Sequence, residues 1–230
     1  MNYTTRGRYF HGSAIDRALL VKRRSPLWAR KGVVFIHVPK AAGTSISEAI
    51  YGRFTGHVRA SDVLRWASSR VRSLPKVAVV RNPWARLVSA YRFIKLGRGI
   101  GGPHAGRVWR PEQYEIPEFD NFETFVTDWL AHQDLNQLDE AFQAQSPYVS
   151  DSRGNLLVDH LGRVESLDRT HRYLASHVKT LTPFARSNRS GDPVDYRTFY
   201  TPELVERVAE IYADDVSILG YDFEDQRGSG

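Results

Sequence analysis

Twice in this chain a short, β-branched, nearly unbroken apolar run stops at a loop rich in cationic and hydroxyl residues, and helical spacing follows at once. The first run is Gly32-Val33-Val34-Phe35-Ile36-His37-Val38. Pro39 closes it, Lys40-Ala41-Ala42-Gly43-Thr44-Ser45 follows, and Ile46, Ala49 and Ile50 recur as one face of a helix through Tyr51. The second is Lys76-Val77-Ala78-Val79-Val80, which ends at Arg81 before Asn82-Pro83, with Leu87, Val88 and Tyr91 as the helical face. Continuous apolar runs of this length suit strands covered on both faces. Asn82 can cap its helix, and Pro83 fits the first helical position, where the missing N–H has no partner anyway. Strand, loop and helix, repeated, predict an α/β sandwich: a central parallel sheet flanked by helices, with right-handed crossovers.

A length of 230 residues suits one such domain with a sizeable core, read here as residues 32–226. Residues 1–31 carry Arg6, Arg8, Arg17, Lys22, Arg23, Arg24, Arg30 and Lys31 against a single acid, Asp16. They read as a basic arm, irregular or partly helical, serving either as a solvated lead-in or as a surface for an acceptor or an anionic face. Residues 96–120 form an irregular, glycine-rich loop with Trp109 and Tyr114 among basic residues. A loop of that length in a compact domain is usually functional or mobile, and it is expected here near an acceptor site. Residues 227–230 read as a frayed tail. Further helices are expected over 121–130, 167–178 and 202–214. An extended pair is expected over 148–165, broken at Asp151-Ser152-Arg153-Gly154-Asn155.

The balance of 32 Lys+Arg against 26 Asp+Glu leaves +6, which suits an anionic ligand without specifying one. The chain has no cysteine, so disulfides and thiolate metal sites are excluded. Its longest apolar stretch, Val33 to Val38, is far too short to span a bilayer, and the first residues lack a secretory apolar core. A soluble cytoplasmic protein is the expectation.

The two loops can each grip a phosphate. Gly43 permits a tight turn, the N–H groups opening the next helix are unpaired, and the helix dipole favours an anion there. Lys40 adds charge, and Thr44 and Ser45 add hydroxyl donors. The nucleotide-hydrolase pattern G-x-x-x-x-G-K-[ST] puts its lysine after the last glycine; here Lys40 precedes Gly43, so that pattern fails. In the second loop Arg81 stands at the carboxyl end of a strand, where α/β sheets bind ligands, with Ser89 two turns into the helix and Arg86 on the same face. Arg81 can hold a phosphate bidentately beside Ser89. Two grips point to a nucleotide with phosphates at two ends.

Pro39 to Ser45 resembles the 5′-phosphosulfate loop of sulfotransferases, and Arg81-Asn82-Pro83-Trp84-Ala85-Arg86-Leu87-Val88-Ser89-Ala90-Tyr91 resembles their 3′-phosphate motif, in the variant of the carbohydrate 2-O-sulfotransferase-like branch. Asp159 to Glu165 and Tyr212 to Tyr221 are weaker matches. The resemblance implies a P-loop-like fold, 3′-phosphoadenosine-5′-phosphosulfate as donor, no metal, and a hydroxylated acceptor such as a carbohydrate or small metabolite, with no nucleic acid as partner. It implies that Lys40, Ala42, Gly43, Thr44 and Ser45 hold the 5′ end and that Arg81, Arg86 and Ser89 hold the 3′-phosphate, with Arg163 adding to it. Lys40 is then the group that stabilises the departing 5′-phosphate.

The acceptor hydroxyl needs a base. His57, in Gly56-His57-Val58, suits that task, since an imidazole titrates near neutrality and the related sugar sulfotransferases carry a similar Gly-His segment. Glu48, one turn into the first helix, is the rival. His37 reads as a core histidine, and His104, Trp109 and Tyr114 could line the acceptor pocket or simply pack. A nucleotide kinase or hydrolase, and a non-catalytic nucleotide or nucleic-acid binding module, are the competing classes. Neither the acceptor nor the oligomeric state is legible in the residues.

Overall fold

The structure is a computed structural model and describes residues 13–97, 111–184 and 194–224. Three strands, β1 (Val34–Ile36), β2 (Lys76–Val80) and β3 (His160–Arg163), form one parallel sheet in the order β1-β2-β3. Phe35 pairs with Val77, and Val79 with Gly162. Every residue of β1 and β2 is buried, as unbroken apolar runs in a sheet covered on both faces must be.

The covering helices are α1 (Ala14–Lys31), α2 (Gly43–Tyr51), α3 (Ala60–Trp66), α4 (Ser69–Arg72), α5 (Pro83–Gly97), α6 (Phe122–Thr124), α7 (Ser146–Val149), α8 (Leu167–Ala175), α9 (Pro202–Ile211) and α10 (Ala213–Leu219). The helix α1 takes in much of the stretch read as a basic arm. Ser13 and Asp16 cap it reciprocally, Val21 and Trp28 are in the core, and Arg17 meets Asp62 of α3 at 3.4 Å. From residue 14 this stretch is therefore packed against the domain rather than extended from it. Residues 1–12 and the tail 227–230 lie outside the described residues, as do His104 and Trp109.

Two other expectations are modified. Asn121 caps a helix as expected, accepting from the Thr124 N–H at 2.9 Å, but the winding changes from α to π over Phe125–Trp129 and to 3₁₀ over Leu130–His132. The extended pair over 148–165 is not a hairpin. Its turn is present, with the Asp151 carboxylate accepting from the Arg153 and Asn155 N–H groups, yet only Ser150 and Leu156 bridge across it. The open edge of β2 captures residues 160–163 instead. Residues 146–149 wind into α7, because buried Asp215 accepts from the Gln145 and Ser146 N–H groups at its start. The helix expected over 202–214 breaks at Tyr212, which separates α9 from α10. Tyr114 is 2 % exposed and packs among Phe119, Trp129 and Phe142, so its role is in the core.

Candidate active site

The two loops leave the carboxyl ends of paired neighbours β1 and β2, the edge at which open α/β sheets bind ligands. In the first loop, Lys40 and Ala42 have φ of 64° and 58°, the only non-glycine residues with positive φ among those described. Such a conformation costs about 1–3 kcal/mol per residue and persists only where its surroundings hold it. The N–H groups of Ala42, Gly43 and Thr44 donate to no described residue, and Ala42, as N-cap of α2, offers no side-chain acceptor. Open donors at the head of a helix, reinforced by its dipole, form an anion cradle.

His37 explains why residue 43 is glycine. A Cβ at Gly43 would lie 1.9 Å from the His37 Cδ2, so the imidazole occupies the space that a side chain would need. His37 is buried, and burial, then the neighbouring His57, holds its pKa well below the usual imidazole value. Its Nδ1 has no partner among the described residues.

Arg86, grouped on sequence with the donor-binding residues, has a different task. It is 1 % exposed; its Nε donates to the Pro39 carbonyl at 2.9 Å, and its Nη2 donates to the carbonyls of Gln143 at 2.7 Å and Glu140 at 3.4 Å. A buried guanidinium needs acceptors for its N–H groups, and these carbonyls supply them while fixing the start of the first loop. Lys40 Nζ stands 3.9 Å from the Phe93 ring centroid. Arg86, Ser89 and Phe93 share one face of α5. Half-buried Ser89, whose hydroxyl bonds to no described residue, therefore lies between the two α5 residues that touch the first loop.

The second loop is held by an interlocked set of hydrogen bonds. Gln145 accepts from the Arg81 N–H at 2.9 Å and donates to the Arg81 carbonyl at 2.8 Å. Asn82 Oδ1 accepts from the Trp84 and Ala85 N–H groups, the cap read from sequence. The Asn82 N–H donates to Glu165 at 2.9 Å and its Nδ2 to the Asp222 carbonyl at 2.9 Å, while the Tyr221 hydroxyl donates to the other Glu165 oxygen at 3.1 Å. What stays open is the Arg81 guanidinium, which hydrogen-bonds to no described residue. Burial lowers its pKa, opposed by the charge of Glu165. A desolvated guanidinium without hydrogen-bond acceptors is relieved by an anion that it can grip bidentately.

His57 Nδ1 lies 2.9 Å from the His37 carbonyl. A carbonyl only accepts, so Nδ1 is the donor there and Nε2 is the nitrogen turned toward Glu140. Glu140 Oε2 stands 3.8 Å from that Nε2, with the two side chains 22 % and 13 % exposed respectively. The His57 ring also packs against His37 at 4.3 Å and Phe54 at 5.6 Å between centroids. His57 thus sits against the histidine that supports the first loop. Glu48 is exposed on α2, with no described side-chain contact to the loop. Arg163, placed on sequence with the 3′-phosphate residues, instead donates from Nη2 to the Leu219 and Gly220 carbonyls, both at 2.9 Å, and lies over the Tyr221 ring. It binds the carbonyl end of α10, where cations are favoured. Gln145 and Glu140 were not singled out on sequence; both arrive by tertiary folding, and no local pattern marks them.

The model of the sulfotransferase family matches residues 29–222. The chain belongs to the sulfotransferase family. The match runs from the last three residues of α1 to Asp222, whose carbonyl secures Asn82, and so takes in both loops and His57. Neither a curated protein nor a solved structure matched the chain. The parallel sheet flanked by helices accords with the P-loop-like fold of this family. Among the described residues no helix of this sulfotransferase-family chain is long and apolar enough to cross a membrane, and none of its His, Asp and Glu side chains cluster as a metal site would require.

Proposed function

We propose that this protein moves a sulfuryl group from 3′-phosphoadenosine-5′-phosphosulfate to a hydroxyl of a carbohydrate or small-molecule acceptor. The observation that carries this reading is the pair of separate anion grips on adjacent strands, one of open N–H groups and one of an open guanidinium. A nucleotide phosphorylated at both ends asks for two such grips. In this reading Lys40, Ala42, Gly43, Thr44 and Ser45 hold the 5′ end, and Arg81 with Ser89 holds the 3′-phosphate. The donor supplies an activated sulfuryl group, and the protein's own residues do the rest. His57 Nε2 takes the proton of the acceptor hydroxyl while its Nδ1–H stays on the His37 carbonyl. The imidazolium so formed faces the Glu140 carboxylate. Lys40 and the open N–H groups of α2 neutralise charge on the leaving 5′-phosphate oxygen; preorganised donors of this kind are worth about 3–4 kcal/mol each.

Thermal stabilisation by 3′,5′-adenosine bisphosphate, beside 5′-AMP and Mg-ATP at equal concentration, tests the reading. Ligand at about 100 times its dissociation constant adds roughly 2.7 kcal/mol, and the bisphosphate alone is expected to do so. A shift with Mg-ATP instead, or with no nucleotide, would overturn it.

A further inference from the structure

One face of α1 lies exposed along its length. Ile15, Leu19, Lys22, Arg23, Pro26 and Arg30 fall within an arc of about 100° at 3.6 residues per turn, and all are exposed, Ile15 to 70 % and Leu19 to 51 %. The opposite face is the one that buries Val21 and Trp28. No described carboxylate or other side-chain partner meets Lys22, Arg23, Arg24, Arg30 or Arg53. Arg24, outside this arc, lies between Arg23 and the loop after α2: its Nε is buried without a partner among the described residues, and Arg53 and Arg23 both repel its charge. Beside Arg53, Phe54 exposes 37 % of its surface.

Uncompensated cations next to exposed isoleucine, leucine and phenylalanine fit a bilayer interface, where cations meet anionic headgroups and apolar side chains enter the acyl boundary. A soluble polyanion would satisfy the cations but would leave Ile15, Leu19 and Phe54 in water. We propose that the outer face of α1, with Arg53 and Phe54, docks the protein on an anionic phospholipid surface. Phe54 packs against His57, so docking brings the acceptor side to the lipid and favours hydroxyls carried at that surface. This last step rests on His57 as the base; the docking does not.

The test is cosedimentation of the full chain with phosphatidylcholine vesicles, with and without phosphatidylserine. Binding is expected only with phosphatidylserine and should weaken with salt. A basic side chain near an anionic leaflet strengthens partitioning about fivefold, so Lys22→Gln, Arg23→Gln and Arg53→Gln together should lower it about 100-fold. Ile15→Ser with Leu19→Ser should lower it about 10-fold while leaving elution from heparin unchanged. All of these side chains are exposed, and unchanged melting midpoints check that the variants fold. Wild-type chain that ignores phosphatidylserine overturns the proposal. So does an Ile15→Ser, Leu19→Ser variant that sediments like wild type, because the face would then be a polyanion site. Bisphosphate stabilisation measured on the same samples reads the donor site separately, so either conclusion can fall without the other.

Discussion

The two loops proposed to grip phosphate are built on opposite plans. The first strains its backbone at Lys40 and Ala42 and leaves its N–H groups open; it rests on a buried neutral imidazole and on one carbonyl held by Arg86. The second satisfies its backbone through Gln145, Glu165 and Asp222 and leaves open a single guanidinium. Strain with many weak donors suits a loop that must follow charge as it moves onto a leaving group. A rigid frame carrying one strong charge suits recognition of a phosphate that does not react.

Gly43→Ala strikes at the support of the first grip and should have the largest effect. The His37 ring cannot share space with the new methyl, so stability should fall by about 3 kcal/mol, measured by urea unfolding. A loss below about 0.5 kcal/mol would mean that the imidazole does not hold the loop. Arg81→Ala and Gln145→Ala divide the second grip into charge and frame. The first should weaken bisphosphate binding about 100-fold, near 2.7 kcal/mol, with stability unchanged or slightly raised because a desolvated cation is gone. The second should cost about 2 kcal/mol of stability through two lost hydrogen bonds. Equal effects of the two variants on both readouts would erase the distinction.

The pH dependence should separate the grips again. His37 has a folded pKa below its unfolded value of 6.5, so the unfolded chain binds the proton first. Stability from this group is present above that value and is lost as pH falls below about 6.5, by up to about 1.4 kcal/mol per pH unit. Burial and His177 lower His160 in the same sense, so the His37 share is the part that disappears in His37→Gln. The protection factor of the Ile46 amide, which is bonded to the Ala42 carbonyl, should fall on acidification before those of the Ala85 and Arg86 amides at the Asn82 cap do; a simultaneous fall would refute the assignment. Ala42→Gly is the smallest perturbation. Release of a strained φ should stabilise the fold by about 1 kcal/mol, and a neutral result would mean that the loop stores no strain at this position.

Both strands of the central pair, both loops and the Asn82 cap were legible because each is a local pattern: a run, a stop, a capping residue. Two side chains whose contacts the sequence did not foretell share a different cause. Arg86 and Arg163 sit at positions compatible with phosphate contact, but a long side chain is aimed by what packs around it, here the carbonyls of Pro39, Gln143, Leu219 and Gly220. The parallel pairing of residues 160–163 was hidden because two extended stretches around a good turn look like a hairpin until a more open edge competes for them. Glu140 is marked by no spacing, since only the fold sets its carboxylate beside His57.

Asn82 is secured by partners 83 and 140 positions further along the chain, while Arg86 reaches back only 47 to hold the first loop. Contacts of long sequence separation form late, after the loop-closure entropy between them has been met. In a chain made from its amino terminus, strand β1 and the start of the first loop can be in place while the second grip still lacks its frame. On the proposed function, competence to read both ends of a doubly phosphorylated nucleotide therefore arrives only when residues near 222 are in place. A chain cut short of that point should keep its sheet and lose the far phosphate.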